Sequence, residues 1–317
     1  MSSPRAIAPM SEHVLKQLAR HRARLSSQSS APPLFVAVQG PQGSGKTFLT
    51  SRLREVLIAK PHSLSVVVLS IDDLYLRHDE LVALAEAHPE NKLLHGRGQP
   101  GTHDVGLGVQ ILEALQHINE DGAGPRSVEI PSFDKSLFGG EGDRVERGTL
   151  IKGPVDVVIL EGWCVGFYPS TTEEISRRWQ LPVTGLGDNF FESRGFRQED
   201  VLDVNQRLKE YLQWWKFFDT FIQASIKPVD GHPYDYIYTW RLQQEHNMKS
   251  LNGGKGMTDD QVFKFVDRYI PGYVFFGDGI VNGDSTDPNH PSPPPWLGNG
   301  LRVQIGEQRE VLTVDVF

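Results

Sequence analysis

The sequence predicts an α/β fold in which a mostly parallel sheet carries helices on both faces. Short runs of Val, Ile and Leu, which are typical of buried parallel strands, recur along the chain. These runs are LFVAV (34–38), SVVVLSI (65–71), SVEIP (127–131), VDVVIL (155–160), FDTFIQASI (218–226), LRVQI (301–305) and VLTVDVF (311–317). Helical periodicity is found between several of them, in residues 48–58, 106–119, 201–217 and 258–269. Strands that alternate with helices in this way indicate crossover connections between parallel strands.

The composition is that of a globular protein and argues against a nucleic-acid-binding, disulfide-bonded or membrane protein. With 317 residues the chain can bury a large core, and 38% apolar and 23% charged residues are typical of a globular protein. The net charge of −8 (32 Lys and Arg against 40 Asp and Glu) argues against a nucleic-acid partner, because nucleic-acid binders usually carry a basic face. The single cysteine, Cys164, allows no intramolecular disulfide and indicates a reducing compartment, which we predict to be the cytoplasm. No run of 18 apolar residues occurs, so we predict no membrane association.

We predict one domain over residues 1–317, with its core at 34–275. Before the core, residues 1–33 are predicted to form an amphipathic helix and a Ser/Pro linker. The apolar side of this helix would contain Val14, Leu15, Leu18 and Leu25. The segment is also basic and Ser-rich like an organellar transit peptide, an alternative that we favour less because the segment is short and runs almost directly into the first strand. After the core, residues 276–317 contain a Pro/Gly/Asn loop (281–300) and the terminal strands.

A glycine-rich loop follows the first predicted strand. GPQGSGKT (40–47) matches the phosphate-binding pattern G-x-x-x-x-G-K-[ST] in full, with a strand before it and a helix after it. Its glycines allow successive backbone N–H groups to point at one anion, and the positive N-terminal end of the helix adds to the attraction. Lys46 is expected to reach the β- and γ-phosphates, and the Thr47 hydroxyl to bind Mg²⁺. The residues predicted to bind the nucleotide are Gly40, Pro41, Gln42, Gly43, Ser44, Gly45, Lys46, Thr47 and Phe48.

The loop alone indicates a nucleoside triphosphate, because GTPases, motor ATPases and small-molecule kinases all contain it. A chance Gly-rich turn with an exposed lysine is the alternative. The second predicted strand narrows the choice, since it ends in two acids, Asp72 and Asp73. In a sheet of this kind the carboxyl ends of the strands meet at the bound nucleotide, so an acid there can accept a proton from a substrate hydroxyl or hold the waters of a metal ion. Alternatively, either acid could cap the helix that follows.

Two later stretches, residues 92–104 and 128–144, combine charged side chains with glycines. Their candidate substrate residues are Arg97, His103 and Asp104 in the first stretch and Asp134, Lys135 and Arg144 in the second. Glycines allow the backbone to approach a small ligand closely, and the charged side chains can recognise its polar groups. Each residue alone could equally be an ordinary charge on a surface loop. As a set, they suit a small hydroxy acid and a transferring phosphoryl group.

The last candidate segment is WRLQQEHNMKSLNGGKGM (240–257). Arg241 lies there in a helical pattern ahead of a Gly/Lys-rich loop, an arrangement expected of a lid that closes over phosphates. An arginine from such a lid can stabilise charge on the transferring group; the alternative is a helix with a solvated arginine. Three tryptophans are predicted to pack in the core rather than to stack on a base, namely Trp214, Trp215 and Trp240.

Several motifs together resemble a known family. The pattern S-x-D-D-L-Y at the end of the second strand resembles that of the uridine kinase, pantothenate kinase and phosphoribulokinase superfamily. A more specific set resembles the D-glycerate 3-kinase family and its fungal ATP-dependent kinase relatives. This set contains GRGxPGTHD, PxFDKSxFGGxGDR, LEGWxxGF, VNQRLKEYLQWW, YTWRLQQEH and GKGMTDDQVFKFVDRYIPGY. The resemblance covers roughly residues 34–275, in order and without large gaps, and it implies a kinase fold with lid and substrate loops.

The resemblance implies an ATP-dependent kinase for a small hydroxy acid, with D-glycerate as the expected substrate. It implies that the general base is Asp72 rather than Asp73, and that Glu161 contacts Mg²⁺ directly or through water. The alternative for Glu161 is a surface acid at the end of a strand. The predicted catalytic residues are then Lys46, Asp72 and Arg241, the predicted metal ligands are Thr47 and Glu161, and Asp73 and Tyr75 join the substrate candidates.

Two other functions remain open from the sequence. The first is a kinase of the same superfamily for another alcohol, such as a nucleoside or pantothenate. Against it, no aromatic-rich segment suggests a wall for a base, whereas Arg97, Lys135 and Arg144 suit a carboxylate. The second is an ATP-binding regulatory protein, which would turn ATP over slowly regardless of small alcohols and would expose a large apolar patch to its partner. A monomer is compatible with the sequence.

Overall fold

The computed structural model describes residues 4–27, 30–120, 126–227, 233–251, 253–254, 256–287 and 291–317. The β-strands in these ranges are β1 (Leu34–Gln39), β2 (Val66–Ser70), β3 (Ser127–Ile130), β4 (Phe133–Asp134), β5 (Asp143–Arg144), β6 (Thr149–Lys152), β7 (Val157–Gly162), β8 (Thr220–Ile226), β9 (Gly300–Ile305) and β10 (Val311–Val316). The α-helices are α1 (Ile7–Arg24), α2 (Lys46–Ile58), α3 (His78–Ala87), α4 (Val105–Gln116), α5 (Thr172–Trp179), α6 (Phe190–Ser193), α7 (Gln198–Trp215), α8 (Asp235–Leu251), α9 (Asp259–Asp267), α10 (Ile270–Phe276) and α11 (Gly279–Asn282). Parts of the predicted linker, of the loop that follows α8 and of the Pro/Gly/Asn loop lie outside the described residues.

Six strands form the central sheet, in the order β10-β9-β8-β1-β7-β2. The five strands from β9 to β2 are parallel, and the edge strand β10 pairs antiparallel with β9. β1, which precedes the glycine-rich loop, lies in the interior of the sheet between β7 and β8. The predicted α/β fold with a mostly parallel sheet is confirmed.

Helices cover both faces of the sheet because its strands are apolar on both sides. All six residues of β1 are buried, and alternate ones face different cores. Leu34 faces the core that contains residues of α1 and α2, whereas Phe35 faces the larger core that contains residues of α4 and α7. The three tryptophans predicted to lie in the core, Trp214, Trp215 and Trp240, are at most 1% exposed.

The N-terminal helix α1 packs against the sheet. The Nε2 atom of His13 lies 2.8 Å from the hydroxyl oxygen of Thr220 on β8. On the predicted apolar side, Val14 and Leu18 are buried, whereas Leu15 and Leu25 are partly exposed. The structure thus has an N-terminal helix whose buried side includes Val14 and Leu18, and Leu25 lies one residue after its end at Arg24. Searched over the described residues, the chain contains no helix that is both long and apolar enough to span a membrane.

One predicted strand lies outside the central sheet. The sequence predicts residues 127–131 as a strand of the parallel sheet, but β3 pairs antiparallel with β6 in a separate two-stranded sheet. Its residues alternate between exposed and buried, which is typical of a strand with one solvated face. The prediction is wrong because a short apolar run does not reveal which strand will pair with it. A second small sheet, formed by β4 and β5, carries the predicted substrate residues Asp134 and Arg144.

Candidate active site

The loop between β1 and α2 has the shape that phosphate binding requires. Gly43 and Gly45 have φ angles of 75° and 87°, in the left-handed region that favours glycine. A Cβ atom added at Gly43 would lie only 2.4 Å from the Cβ atom of Trp240, so the position has no room for a side chain. Because α2 begins at Lys46, the free N–H groups of its first turn lie at the loop. Phe48, in the same turn, is 37% exposed.

Side chains from the C-terminal third of the chain hold this loop in place. The hydroxyl oxygen of Tyr273 accepts a hydrogen bond from the N–H group of Gln42 at 3.0 Å. Arg309, in the β9–β10 turn, donates from Nε to the carbonyl oxygen of Gly43 at 2.6 Å. These contacts join residues 231 and 266 positions apart, and no local sequence signal indicates them. Tyr273 and Arg309 are therefore candidate functional residues that sequence reasoning missed.

Lys46, Thr47 and Glu161 come together where the loop meets β7. The Thr47 hydroxyl donates to Oε1 of Glu161 at 3.1 Å, and Nζ of Lys46 donates to the carbonyl oxygen of Pro41 at 3.3 Å. Burial lowers the pKa of Lys46 and raises the pKa of Glu161, and the charge of each partly offsets the effect of burial on the other. Opposite charges therefore lie in a desolvated environment, where their interactions with a ligand are strong.

These residues fit a magnesium–nucleotide complex. The oxygen atoms of Thr47 and Glu161 are hard ligands, and proteins typically hold Mg²⁺ with one or two side chains plus phosphate and water oxygens. Within the described residues, no group of three or more His, Cys, Asp or Glu side chains could hold a metal ion. Oε1 of Gln42 and the hydroxyl oxygen of Ser44 are buried and have no hydrogen-bond partner among the described residues. The Ser44 hydroxyl can donate to a phosphate oxygen, whereas Oε1 of Gln42 can only accept a hydrogen bond.

Asp72 lies at the carboxyl end of β2, in the 3₁₀ turn Ile71–Leu74. Lys135 donates from Nζ to its Oδ2 atom at 2.5 Å. Burial acts to raise the pKa of Asp72, but the charge and the hydrogen bond of Lys135 outweigh it, so that this pKa lies below its usual value. The carboxylate is therefore ionised at neutral pH and can accept a hydrogen bond from a hydroxyl group. Asp72 and Asp73 do not cap α3, because that helix begins only at His78.

Asp73 binds the β4–β5 hairpin, and Asp134 lies within it. Oδ1 of Asp73 accepts a hydrogen bond from the N–H group of Phe133 at 3.0 Å. Oδ1 of Asp134 accepts from both the backbone N–H and the hydroxyl of Ser136, at 2.8 and 2.6 Å. Both acids thus stabilise the hairpin that carries Lys135, and their contact with a substrate stays a prediction.

His103 stacks on Tyr75, with 4.4 Å between the ring centroids, and the charge of Asp72 acts on it. Its Nδ1 atom lies 2.7 Å from the Tyr211 hydroxyl, which also accepts the N–H group of Gly101 at 2.8 Å. The Tyr211 hydroxyl can then donate its own proton to Nδ1 of His103. Because a neutral imidazole carries a single N–H group, the ring proton is then on Nε2. Burial lowers the pKa of His103 to about 3, so the ring is neutral at pH 7. Nε2 is buried without a partner among the described residues, and His103 therefore offers an unused N–H donor.

The two predicted substrate arginines have different surroundings. Arg144 lies beside Asp104 and Glu80, with nitrogen–oxygen distances of 3.1 and 3.6 Å, so its charge is balanced by acids. Arg97 donates from Nη1 to the carbonyl oxygens of residues 140–141. No carboxylate pairs with Arg97 in the part of the chain that the structure describes.

Arg241 lies in α8, next to the tryptophan that packs on the phosphate loop. Its guanidinium group pairs with Glu245 at 2.8 Å and lies 5.3 Å from the ring centroid of Phe265. The side chain is 16% exposed, so the alternative of a solvated helix arginine is wrong. The role of Arg241 as a lid residue stays a prediction.

The structure adds an arginine that the motifs did not single out. Arg268, which follows α9, donates from Nη2 to the carbonyl oxygens of Gly96 and Arg97, at 3.2 and 3.5 Å. Burial lowers the pKa of its guanidinium group, and its Nε atom is buried without a partner within the described ranges. The residue is part of the motif GKGMTDDQVFKFVDRYIPGY, but no sequence feature separates it from the other charged residues there.

Comparisons with known proteins identify the family. The chain is 39% identical over 255 residues to "Probable ATP-dependent kinase TDA10" of Saccharomyces cerevisiae, covering 80% of this chain and 81% of that protein. It is 32% identical to "D-glycerate 3-kinase, chloroplastic" of Arabidopsis thaliana, over 81% of this chain and 50% of that protein. The solved structure of D-glycerate 3-kinase from Cryptococcus neoformans var. grubii serotype A has a TM-score of 0.83 at 38% identity, covering 98% of this chain and 99% of that chain. No family model matches the chain.

These similarities confirm the resemblance predicted from the motifs. The sequence match covers 80% of this chain and the structural match covers 98% of it. The chain therefore belongs to the D-glycerate 3-kinase family of P-loop kinases and is an ATP-dependent phosphotransferase.

Proposed function

We propose that the protein transfers the γ-phosphoryl group of ATP to a hydroxyl group of D-glycerate. The observation that carries the proposal is the position of the ionised Asp72 carboxylate. It interacts electrostatically with Lys46 of the phosphate loop, and it is hydrogen-bonded to Lys135 of the substrate hairpin. A hydroxyl group bound at Asp72 therefore lies between the nucleotide site and the loops that would hold the rest of the acceptor.

In the proposed reaction the main task of the protein is to align the acceptor hydroxyl group with the γ-phosphate of ATP. Asp72 accepts a hydrogen bond from the acceptor hydroxyl and takes its proton as the oxygen bonds to the γ-phosphorus and the bond to the β-phosphate oxygen breaks. Because the pKa of Asp72 is low, its main contribution is to orient the hydroxyl, and a loose phosphoryl-transfer transition state needs little more from a base. Lys46 neutralises charge on the phosphates as ADP departs.

We also propose that Thr47 and Glu161 hold Mg²⁺. The ion, when bound, supplies charge neutralisation and orientation of the β- and γ-phosphate oxygens. The backbone N–H groups at the start of α2 would bind the same phosphates, and the buried hydroxyl group of Ser44 is a further donor in the loop. The proposal places this chemistry in one domain, residues 1–317, and in the cytoplasm, as the sequence predicts.

The choice of D-glycerate rests on the cations and on two relatives. A carboxylate that enters a pocket loses its water, and a cation must offset that loss. The substrate loops contribute Arg97, Lys135 and Arg144, and Arg268 lies against the first of these loops. The relatives from Cryptococcus neoformans and Arabidopsis thaliana are both named D-glycerate 3-kinases.

The test is ADP release by the purified full chain with a panel of acceptors. The panel contains D-glycerate, L-glycerate, glycerol, uridine, pantothenate and ribulose 5-phosphate, with Lys46→Ala as the inactive control. We expect D-glycerate to give the highest kcat/KM and glycerol to be a poor substrate, because it lacks the carboxylate. Equal use of glycerol and D-glycerate, or a preference for uridine, would overturn the glycerate assignment. Slow ADP release that no acceptor stimulates would favour an ATP-binding regulatory protein.

A further inference from the structure

We propose that Arg268 and Arg97 together bind the carboxylate group of the acceptor. This inference rests on the proposed function, because it assigns recognition of the substrate's acid group to two particular side chains. Sequence reasoning named Arg97, Lys135 and Arg144 as equal candidates for this role, and did not include Arg268.

The first argument concerns the partners of each cation in the site. Three other cations of the site are matched by acids: Lys135 by Asp72 (2.5 Å), Arg144 by Asp104 (3.1 Å) and Arg241 by Glu245 (2.8 Å). Lys46 and Arg309 instead contact backbone carbonyl oxygens of the phosphate loop. Over the described ranges, Arg97 and Arg268 make polar contacts with backbone carbonyl oxygens, not with carboxylates. Carbonyl dipoles orient a guanidinium group but do not neutralise it, so these two charges remain available to an anion.

The second argument concerns the repulsion between the positive charges of the two arginines. Burial lowers the pKa of the Arg268 guanidinium, and the charge of Arg97 acts in the same direction. Like charges repel each other, and the partly buried charge of Arg268, which has no counter-ion among the described residues, is unfavourable. An anion between them would relieve both effects. The unligated arrangement therefore favours the binding of a small acid.

The third argument concerns position. Arg97 lies 5.8 Å from the ring centroid of Phe133, which packs edge-on against Tyr75 at 5.3 Å, and Tyr269 directly follows Arg268 in the chain. Burial raises the pKa of each tyrosine, so both hydroxyl groups stay neutral at pH 7. A Cβ atom at Gly98 would lie 2.8 Å from the Tyr269 hydroxyl oxygen, which shows how closely the substrate loop packs there. Arg97 and Asp72 both contact the β4–β5 hairpin, through the carbonyl oxygens of residues 140–141 and through Lys135, and Arg268 donates to the carbonyl oxygen of Arg97.

This arrangement favours an acceptor with an acid group at one end and a hydroxyl group at the other. A carboxylate presents two oxygens in one plane, and the planar fork of an arginine can bind both at once. The hydroxyl group would then be directed towards Asp72. A sugar phosphate carries the same kind of charge, and the experiment therefore contains a carboxylic acid and a phosphate ester as separate arms.

The experiment compares Arg268→Met and Arg97→Met with Arg177→Met. Arg177 lies on α5, its side chain is 61% exposed, and it pairs with Glu174, so its removal changes net charge without touching the site. For each variant, KM and kcat are measured for D-glycerate, glycerol, ribulose 5-phosphate and ATP. We expect Arg268→Met and Arg97→Met to raise the KM for D-glycerate by about 30-fold or more, with the KM for ATP and the kcat/KM for glycerol unchanged within about threefold. Arg268→Lys should lie between the parent and Arg268→Met, because it keeps the charge but loses the fork.

Each outcome decides one of the two proposals. If Arg268→Met lowers kcat/KM for D-glycerate and for glycerol equally, the arginine is structural and the carboxylate proposal is overturned. Thermal unfolding shows whether Arg268→Met is folded. If it is not, the KM for D-glycerate of Arg97→Met and of Arg268→Lys is compared with that of the parent instead. A parent that prefers L-glycerate or pantothenate would refute D-glycerate as substrate, and the same variants would then be compared on that acid. A parent that prefers ribulose 5-phosphate, uridine or glycerol, or that binds no D-glycerate in a calorimetric titration, would overturn the carboxylate proposal.

Discussion

Replacing Tyr211 with phenylalanine removes one oxygen atom from the core, and that atom holds the ring of His103. The hydroxyl accepts the N–H group of Gly101 at 2.8 Å and lies 2.7 Å from Nδ1 of His103. Phenylalanine keeps the ring, which is fully buried and packs edge-on against Trp214 at 4.9 Å. The substitution therefore tests the hydroxyl group with little change in packing.

The structure gives the size of the expected effects. One buried and one partly buried hydrogen bond disappear, and Nδ1 of His103 and the Gly101 N–H group lose their partner. A buried polar group left unsatisfied costs about 1–3 kcal/mol, and the partly buried Gly101 N–H group costs least, so the free energy of unfolding should fall by about 2–4 kcal/mol. The same loss frees the His103 ring to carry its proton on Nδ1. If Nε2–H is the donor that the acceptor or Asp72 uses, kcat/KM for the acceptor should fall by about tenfold or more, at about 1.4 kcal/mol per factor of ten.

Two measurements check this reasoning. Ring ¹⁵N NMR of histidine-labelled protein should show a neutral His103 with its proton on Nε2 in the parent at pH 7, and a mixture of the two neutral forms in Tyr211→Phe. Steady-state kinetics should show a loss in kcat/KM for the acceptor and an unchanged KM for ATP. Tyr168→Phe is the control, because Tyr168 is a second buried tyrosine of the same core and lies outside the site. A parent His103 with its proton on Nδ1, or a Tyr211→Phe variant with normal kinetics, would refute the assignment.

Three further predictions follow from the same structure. Lys46→Ala should fold normally and lower kcat by about 10² or more, because a preorganised charge contact is lost; a near-normal kcat would contradict its catalytic role. Glu161→Gln should raise the Mg²⁺ concentration needed for half-maximal rate more than it raises the KM for ATP. If the Mg²⁺ titrations of parent and variant superimpose, Glu161 does not bind the metal ion and is only an acid at the end of a strand. Burial lowers the pKa of His13 to about 4 in the folded chain. Between pH 6.5 and 4 the unfolded chain therefore binds a proton that the folded chain does not, and the free energy of unfolding should fall by about 3 kcal/mol as the pH drops. Urea unfolding of His13→Gln and of the parent at pH 7 and pH 4.5 checks this, because the variant should lose less stability between the two pH values. An equal loss of unfolding free energy in both proteins would contradict the role of His13.

The phosphate loop could be predicted because its chemistry is local. Three glycines, a lysine and a threonine within eight residues specify the backbone shape and the ligands without reference to the rest of the chain. Asp72 and Glu161 could be placed for a related reason, since parallel strands bring their carboxyl ends to one edge of the sheet. In the structure, Glu161 accepts its hydrogen bond from Thr47, although 114 residues separate them.

The remaining parts of the site depend on contacts that no sequence pattern specifies. Arg97 and Arg144 look alike in the sequence, since each lies in a glycine-rich segment. The structure separates them: two acids lie beside Arg144, whereas Arg97 contacts backbone carbonyl groups. Tyr211 reaches His103 across 108 residues, and Arg268 reaches Gly96 across 172. These roles follow from tertiary packing and could not have been predicted from spacing.

The charge arrangement explains how the proposed enzyme would reject neutral alcohols. Asp72 can orient any hydroxyl group, so this residue alone does not discriminate between glycerol and an acid. In the proposed carboxylate site the arginine pair would supply the second point of attachment, and binding energy gained there would position the hydroxyl group for attack. Glycerol would lack that attachment, and it would lose kcat as well as affinity, because its hydroxyl group would spend less time aligned with the γ-phosphate. Removal of Arg268 should therefore make D-glycerate behave like glycerol in both KM and kcat, whereas loss of a purely electrostatic attraction at the entrance would change KM alone.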